Sequence, residues 1–100
     1  PFREPPRIAD RAHADSLSRA ILAPVARAGA QGTVAVDVYV TATGAVGAVQ
    51  VAAPSGHPEL DRAVREWVTR LRFTPPIDTA GQPTAAWVQF PVRVASQGPD

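Results

Sequence analysis

Between Ser55 and Phe73, the apolar residues Leu60, Ala63, Val64, Trp67, Val68 and Leu71 recur at the spacing of a single helix face. The opposite face carries Arg62, Arg65, Glu66, Thr69 and Arg70. Pro58 suits the first helical position, where its missing N–H would have no partner in any case. Glu59 and Asp61 fall in the first turn and Arg70 and Arg72 in the last, so the charges complement the helix dipole. Asp61–Arg65 and Arg62–Glu66 have the spacing of ion pairs, worth about 0.3 kcal/mol each. The buried stripe counts for more, about 1.5–3 kcal/mol for each large side chain fully buried. Pro75 and Pro76 stop the helix soon after Arg72. A helix with such a stripe needs an apolar surface to lie on, and the rest of the chain supplies a sheet.

Gly32 to Thr41 is the cleanest strand: Val34, Val36, Val38 and Val40 alternate with Thr33, Ala35, Asp37, Tyr39 and Thr41, giving one apolar and one mixed face. Ala42-Thr43-Gly44 reads as a tight turn with glycine at a positive φ. Ala45 to Ala53 follows as a second strand, with Val49, Val51 and Ala53 on one face, and the two strands form an antiparallel hairpin. Pro54-Ser55-Gly56 breaks the sheet before the helix. Pro75 to Pro83 is a polar loop. Thr84 to Ala95 is the last strand, with Ala86, Val88, Phe90, Val92 and Val94 on one face and Ala85, Trp87, Gln89, Pro91 and Arg93 on the other.

Ahead of the first strand, Leu17, Ile21 and Val25 recur at helical spacing, with Asp10 or Asp15 as the cap. Pro24 is expected to break or kink this helix near Ala23, leaving a short further turn that ends at Gly29. Residues 1–9 hold three prolines and read as the end of an extended linker, and 96–100 as a disordered tail. Residues 10–95 then form one domain.

The predicted class is α+β with topology α-β-β-α-β: a three-stranded antiparallel sheet of order 2-1-3, with the long helix across one face. The crossover helix returns the chain so that the third strand lies beside the first, at an edge. Pro91 fits that placement, because a strand proline is tolerated where its absent N–H points outward. Backbone groups alternate sides along a strand, so those of Trp87, Gln89 and Arg93 should also point outward. The stretch Trp87, Val88, Gln89, Phe90, Pro91, Val92, Arg93 is therefore the candidate partner-binding site.

Composition narrows the alternatives. The chain has no cysteine, which removes disulfides, thiolate metal sites and cysteine nucleophiles. His13 and His57 lie far apart, and neither a metal nor a cofactor is expected. Ser55, His57 and Asp61 form a close Ser/His/Asp set. Their place at a helix start reads as turn formation rather than catalysis. No catalytic residue is assigned, and the chain is read as a non-enzyme. All ten basic residues are arginine and the net charge is +1, so nucleic-acid binding through the arginines and Trp87 is disfavoured. Trp67 belongs to the core stripe. Trp87, on the outer face of the last strand, is either an anchor for a partner or packing for the 76–83 loop.

Several segments together resemble the C-terminal domain of TonB-type energy transducers. These are Ala26-Arg27-Ala28-Gly29-Ala30-Gln31-Gly32 before the valine-alternating strand, Gly44 with the valines after it, and Ser55-Gly56-His57-Pro58-Glu59-Leu60-Asp61-Arg62-Ala63. Trp67, Arg72-Phe73-Thr74-Pro75-Pro76, Gly81-Gln82-Pro83 and Val88-Gln89-Phe90-Pro91-Val92 complete the set. The resemblance covers about residues 24–95. Ile21-Leu22-Ala23-Pro24 stands where members often carry a Tyr-Pro pair, and Val94 stands where the last strand usually ends on an aromatic.

The resemblance implies a non-enzymatic periplasmic module of Gram-negative bacteria, without a cofactor. It would bind the TonB box of an outer-membrane TonB-dependent receptor by strand addition, and transmit force for active uptake. An N-terminal membrane helix outside this chain would anchor the protein in the inner membrane and engage proton-driven motor proteins. The alternative is a TonB-like interaction module recruited to another envelope assembly, such as a secretion or TolA-like scaffold. An open edge also permits a homodimer by strand exchange.

Overall fold

The computed structural model describes residues 2–95. The tail expected to be disordered, 96–100, lies outside them. The elements are helix α1 (Arg11–Leu17), a π-helical segment (Ser18–Leu22), α2 (Ala23–Arg27), strands β1 (Gly32–Val40) and β2 (Val46–Ala53), helix α3 (Pro58–Thr69) and strand β3 (Ala86–Val94). The sheet has the order β2-β1-β3, and β1 is antiparallel to both neighbours. The α+β class and the 2-1-3 order are as the sequence predicts.

Asp10 caps α1, its Oδ1 accepting from the His13 N–H at 2.9 Å. Pro24 does not interrupt the helical run, so the expected break is not found. The chain stays helical from Arg11 to Arg27 by widening to π geometry over Ser18–Leu22, where the Ala23 N–H reaches back to the Ser18 carbonyl. Proline cannot donate to the ladder, and its ring crowds the carbonyl one turn earlier; an inserted residue relieves both. The helix ends at Gly29, φ +104°, as expected.

Helix α3 spans twelve residues, shorter than the predicted stretch. It buries Leu60, Ala63, Val64 and Val68 against β2, β1 and the π segment. Trp67 is half-buried, and its indole Nε1–H donates to the Ala14 carbonyl at 3.0 Å, tying α3 to α1. The charge pattern differs from expectation in two respects. Arg70 is the C-cap and no basic residue lies in the last turn. The one ion pair among the described residues is Arg70–Glu66 at 3.1 Å, in place of Asp61–Arg65 and Arg62–Glu66. Asp61 is engaged elsewhere: its Oδ1 accepts from both the N–H and the hydroxyl of Ser55, at 2.9 and 2.8 Å. The Ser55 oxygen in turn accepts from the His57 N–H at 3.1 Å. The serine and the aspartate thus close the turn into α3, which gives the S-G-x-x-x-L-D spacing its physical sense.

The core is continuous between the helices and the sheet. Val34, Val36, Val38 and Val40 of β1 are fully buried, with Leu60, Val64 and Val68 above them and Leu71, Phe73, Val92 and Val94 alongside. Gly44 joins the hairpin to the segment after α3, its carbonyl accepting the Phe73 N–H at 2.9 Å. Residues 3–9 lie extended along 72–77. The Arg3 N–H donates to the Ile77 carbonyl at 2.7 Å, the Thr74 N–H to the Arg7 carbonyl at 2.7 Å, and the Ala9 N–H to the Arg72 carbonyl at 2.8 Å.

Candidate functional site

A three-stranded sheet of this order has two edges, and they are unlike. Strand β2 carries two register shifts against β1, one extra residue between the partners of Tyr39 and Val40 and one between those of Ala35 and Val36. Both extra residues, Gly47 and Ala52, sit on β2. Bulges twist an edge and blunt it as a template for pairing. Strand β3 pairs with β1 without a shift, from Gly32–Val94 to Val40–Ala86. It is the straight, regular edge.

The backbone of β3 faces two ways. Pro91 stands opposite Ala35 and has no N–H to give, so this is a non-hydrogen-bonded pair. The alternation then assigns Asp37–Gln89 and Tyr39–Trp87 to the same kind. The main-chain groups of Trp87, Gln89 and Arg93, and the Pro91 carbonyl, are directed away from β1. Among the described residues, no loop or turn backbone hydrogen bond reaches 86–94.

The side chains of the predicted site divide between two faces. Trp87, Gln89, Pro91 and Arg93 are exposed on the open face of the sheet. Trp87 is 51% exposed and lies against Tyr39, with ring centroids 5.4 Å apart. Gln89 donates through Nε2 to Asp37 Oδ1 at 2.8 Å. On the core side, Val92 is buried, whereas Val88 and Phe90 are only half-buried. Phe90 meets Phe73 at 6.1 Å between ring centroids. Helix α3 packs chiefly on β2 and leaves this end of the sheet to other cover. A cleft of about 360 Å³ remains there, lined by Phe2, Pro5, Pro6, Phe73, Val88, Gln89 and Phe90.

Sequence reasoning finds the strand and misses its neighbours. Alternation already places Asp37 and Tyr39 on the mixed face of β1. Pairing them with Gln89 and Trp87 requires the register, which no local pattern carries. Gly47 has a structural reason of the same kind: a Cβ there would come within 2.9 Å of the Tyr39 ring. Phe2, Pro5 and Pro6 give no sequence signal beyond the abundance of proline. Ser55 and Asp61 are bonded directly to each other, with no imidazole between them. Leu22 is buried within the π segment and Val25 half-buried in α2, so this stretch mainly supports the core.

A search of curated proteins finds no match. The family model described as Gram-negative bacterial TonB protein C-terminal matches residues 24–93. Domains of that family are non-enzymatic, periplasmic protein-interaction modules of TonB-type energy transducers. Because the match runs from α2 through nearly all of β3 and takes in every strand of the sheet, the chain belongs to the TonB C-terminal domain family.

Proposed function

We propose that this domain grips the TonB box of an outer-membrane TonB-dependent receptor by adding it as a strand to the outer edge of β3, and that it transmits pulling force through that junction. The observation that carries the reading is the unbroken register of β3 together with its unshared backbone groups at Trp87, Gln89 and Arg93. Strand addition uses the partner's main chain for affinity and its alternate side chains for specificity. Each net hydrogen bond contributes about 1 kcal/mol, so a few of them give a complex that forms and releases readily. Bonds arranged along a strand share a load applied parallel to it. A transducer needs that combination of reversible attachment and collective resistance while engaged.

In this reading residues 1–9 continue from a proline-rich linker that crosses the periplasm. The inner-membrane anchor and the contacts with a proton-driven motor belong to chain upstream of it. Trp87 and Tyr39 would meet side chains of the bound strand on the open face. The direct test is titration of the isotope-labelled domain with a TonB-box peptide. The amide signals of Trp87, Gln89 and Arg93 should shift and become protected from exchange. Shifts confined to β2 or to the helices would refute the assignment of the edge.

A further inference from the structure

We propose that the cleft between the N-terminal segment and β3 is a side-chain subsite for the bound strand. It would select a segment that presents an apolar residue at every second position on the core side of the sheet. This rests on the strand-addition reading and gives it a specificity.

A strand added outside β3 must point half of its side chains to the open face and half to the side of Val88 and Phe90. That second side is where the cleft lies. Val88 and Phe90 are half-buried there, whereas Val92 and Val94 farther along the same face are buried. Gln89 lines the cleft too, yet its carboxamide is turned to Asp37 on the opposite face. What Gln89 brings to the rim is its main chain, the part left unpaired by β1. The apolar cleft and the unpaired edge are therefore contiguous, and one extended occupant can satisfy both.

The far wall is Phe2, Pro5 and Pro6. It is held in place by the bonds of Arg3, Glu4, Arg7 and Ala9 to residues 72–77. Pro5 and Pro6 have no N–H, so this wall cannot itself act as a pairing strand at those positions; it offers apolar contact and a fixed backbone. A wall already ordered before binding lowers the entropic cost of association. Among the described residues, no charged side chain lines the cleft. The matching occupant is an extended peptide with valine, leucine, isoleucine or phenylalanine on its inward positions and polar residues between them. The wall lies outside the matched region 24–93, so the selectivity belongs to this chain rather than to the shared fold.

The test uses the whole chain and two short synthetic peptides, one alternating valine with threonine and the other carrying serine in place of each valine. Both should shift the amides of Trp87, Gln89 and Arg93, the valine peptide binding about tenfold more tightly. Phe2→Ala should remove most of that difference while leaving the serine peptide unaffected. Pro6→Ser, at another point of the wall, should act in the same direction. Equal affinities, or a difference that neither variant changes, would overturn the subsite and leave strand addition standing. Failure of both peptides to shift the edge amides would remove strand addition, and the subsite with it. A dimer, detected by sedimentation, that protects the β3 edge without peptide would also overturn the proposal, since a second copy would then be the occupant.

Discussion

Gly44→Ala should be among the most damaging single-methyl additions this chain can receive. Gly44 is buried in the β1–β2 turn with φ +87°, and a Cβ built there would lie 1.9 Å from the Phe73 carbonyl oxygen. The obstacle is backbone, so no side-chain rotation relieves it. Three costs follow. A left-handed conformation for a residue with a Cβ costs about 1–2 kcal/mol. Losing the bond from the Phe73 N–H to the Gly44 carbonyl, now 2.9 Å, costs about 1 kcal/mol. Displacing Phe73, 6% exposed, forfeits about another 1 kcal/mol or more of its burial. The sum is about 3–5 kcal/mol, against a total stability of about 5–15 kcal/mol expected for a domain of this size. Gly29→Ala is the control: φ is +104° but no atom lies within 4 Å of the added methyl, so only the conformational cost applies. Urea denaturation followed by tryptophan fluorescence measures both. If the two variants fall within about 1 kcal/mol of each other, the close approach of the hairpin turn to Phe73 is wrong.

Asp61→Ala removes the acceptor of two Ser55 hydrogen bonds, at 2.9 and 2.8 Å, and should cost about 2 kcal/mol in the same assay; a loss below about 0.5 kcal/mol would mean that the turn does not depend on that pair. Trp67→Phe deletes the bond to the Ala14 carbonyl and should lower the thermal midpoint by about 5 °C, with no change counting against the tie between α3 and α1. Trp87→Ala should cost only about 1 kcal/mol of stability, from its pairing with Tyr39, while weakening a TonB-box peptide about tenfold; unimpaired binding would remove Trp87 from the interface.

Local chemistry settles a large part of this protein. The valines of β1 alternate because a pleated strand turns successive side chains to opposite faces. Leu60 to Leu71 recur at helical spacing because a helix turns every 3.6 residues, as a general property of its geometry. Pro91 marks an edge because it lacks a donor, and the strand it occupies is at an edge. These inferences need only a residue and its near neighbours in the chain. Pro24 shows the limit even of local reasoning: the rule that proline disrupts an α-helix holds, but the chain answers with a π turn, and Leu22 and Ala26 on either side of the proline stay buried.

Tertiary structure decided the rest. That Tyr39 meets Trp87, and Asp37 meets Gln89, depends on register between strands some fifty residues apart in sequence. That Asp61 binds Ser55 instead of Arg65 depends on the path of the chain entering α3. That Phe2, Pro5 and Pro6 wall a cleft beside β3 depends on the segment after α3 having backbone groups to share with them. Periodicity is written into each element by its own backbone geometry, whereas neighbourhood across elements is fixed by which long-range hydrogen bonds and buried surfaces can be satisfied at once.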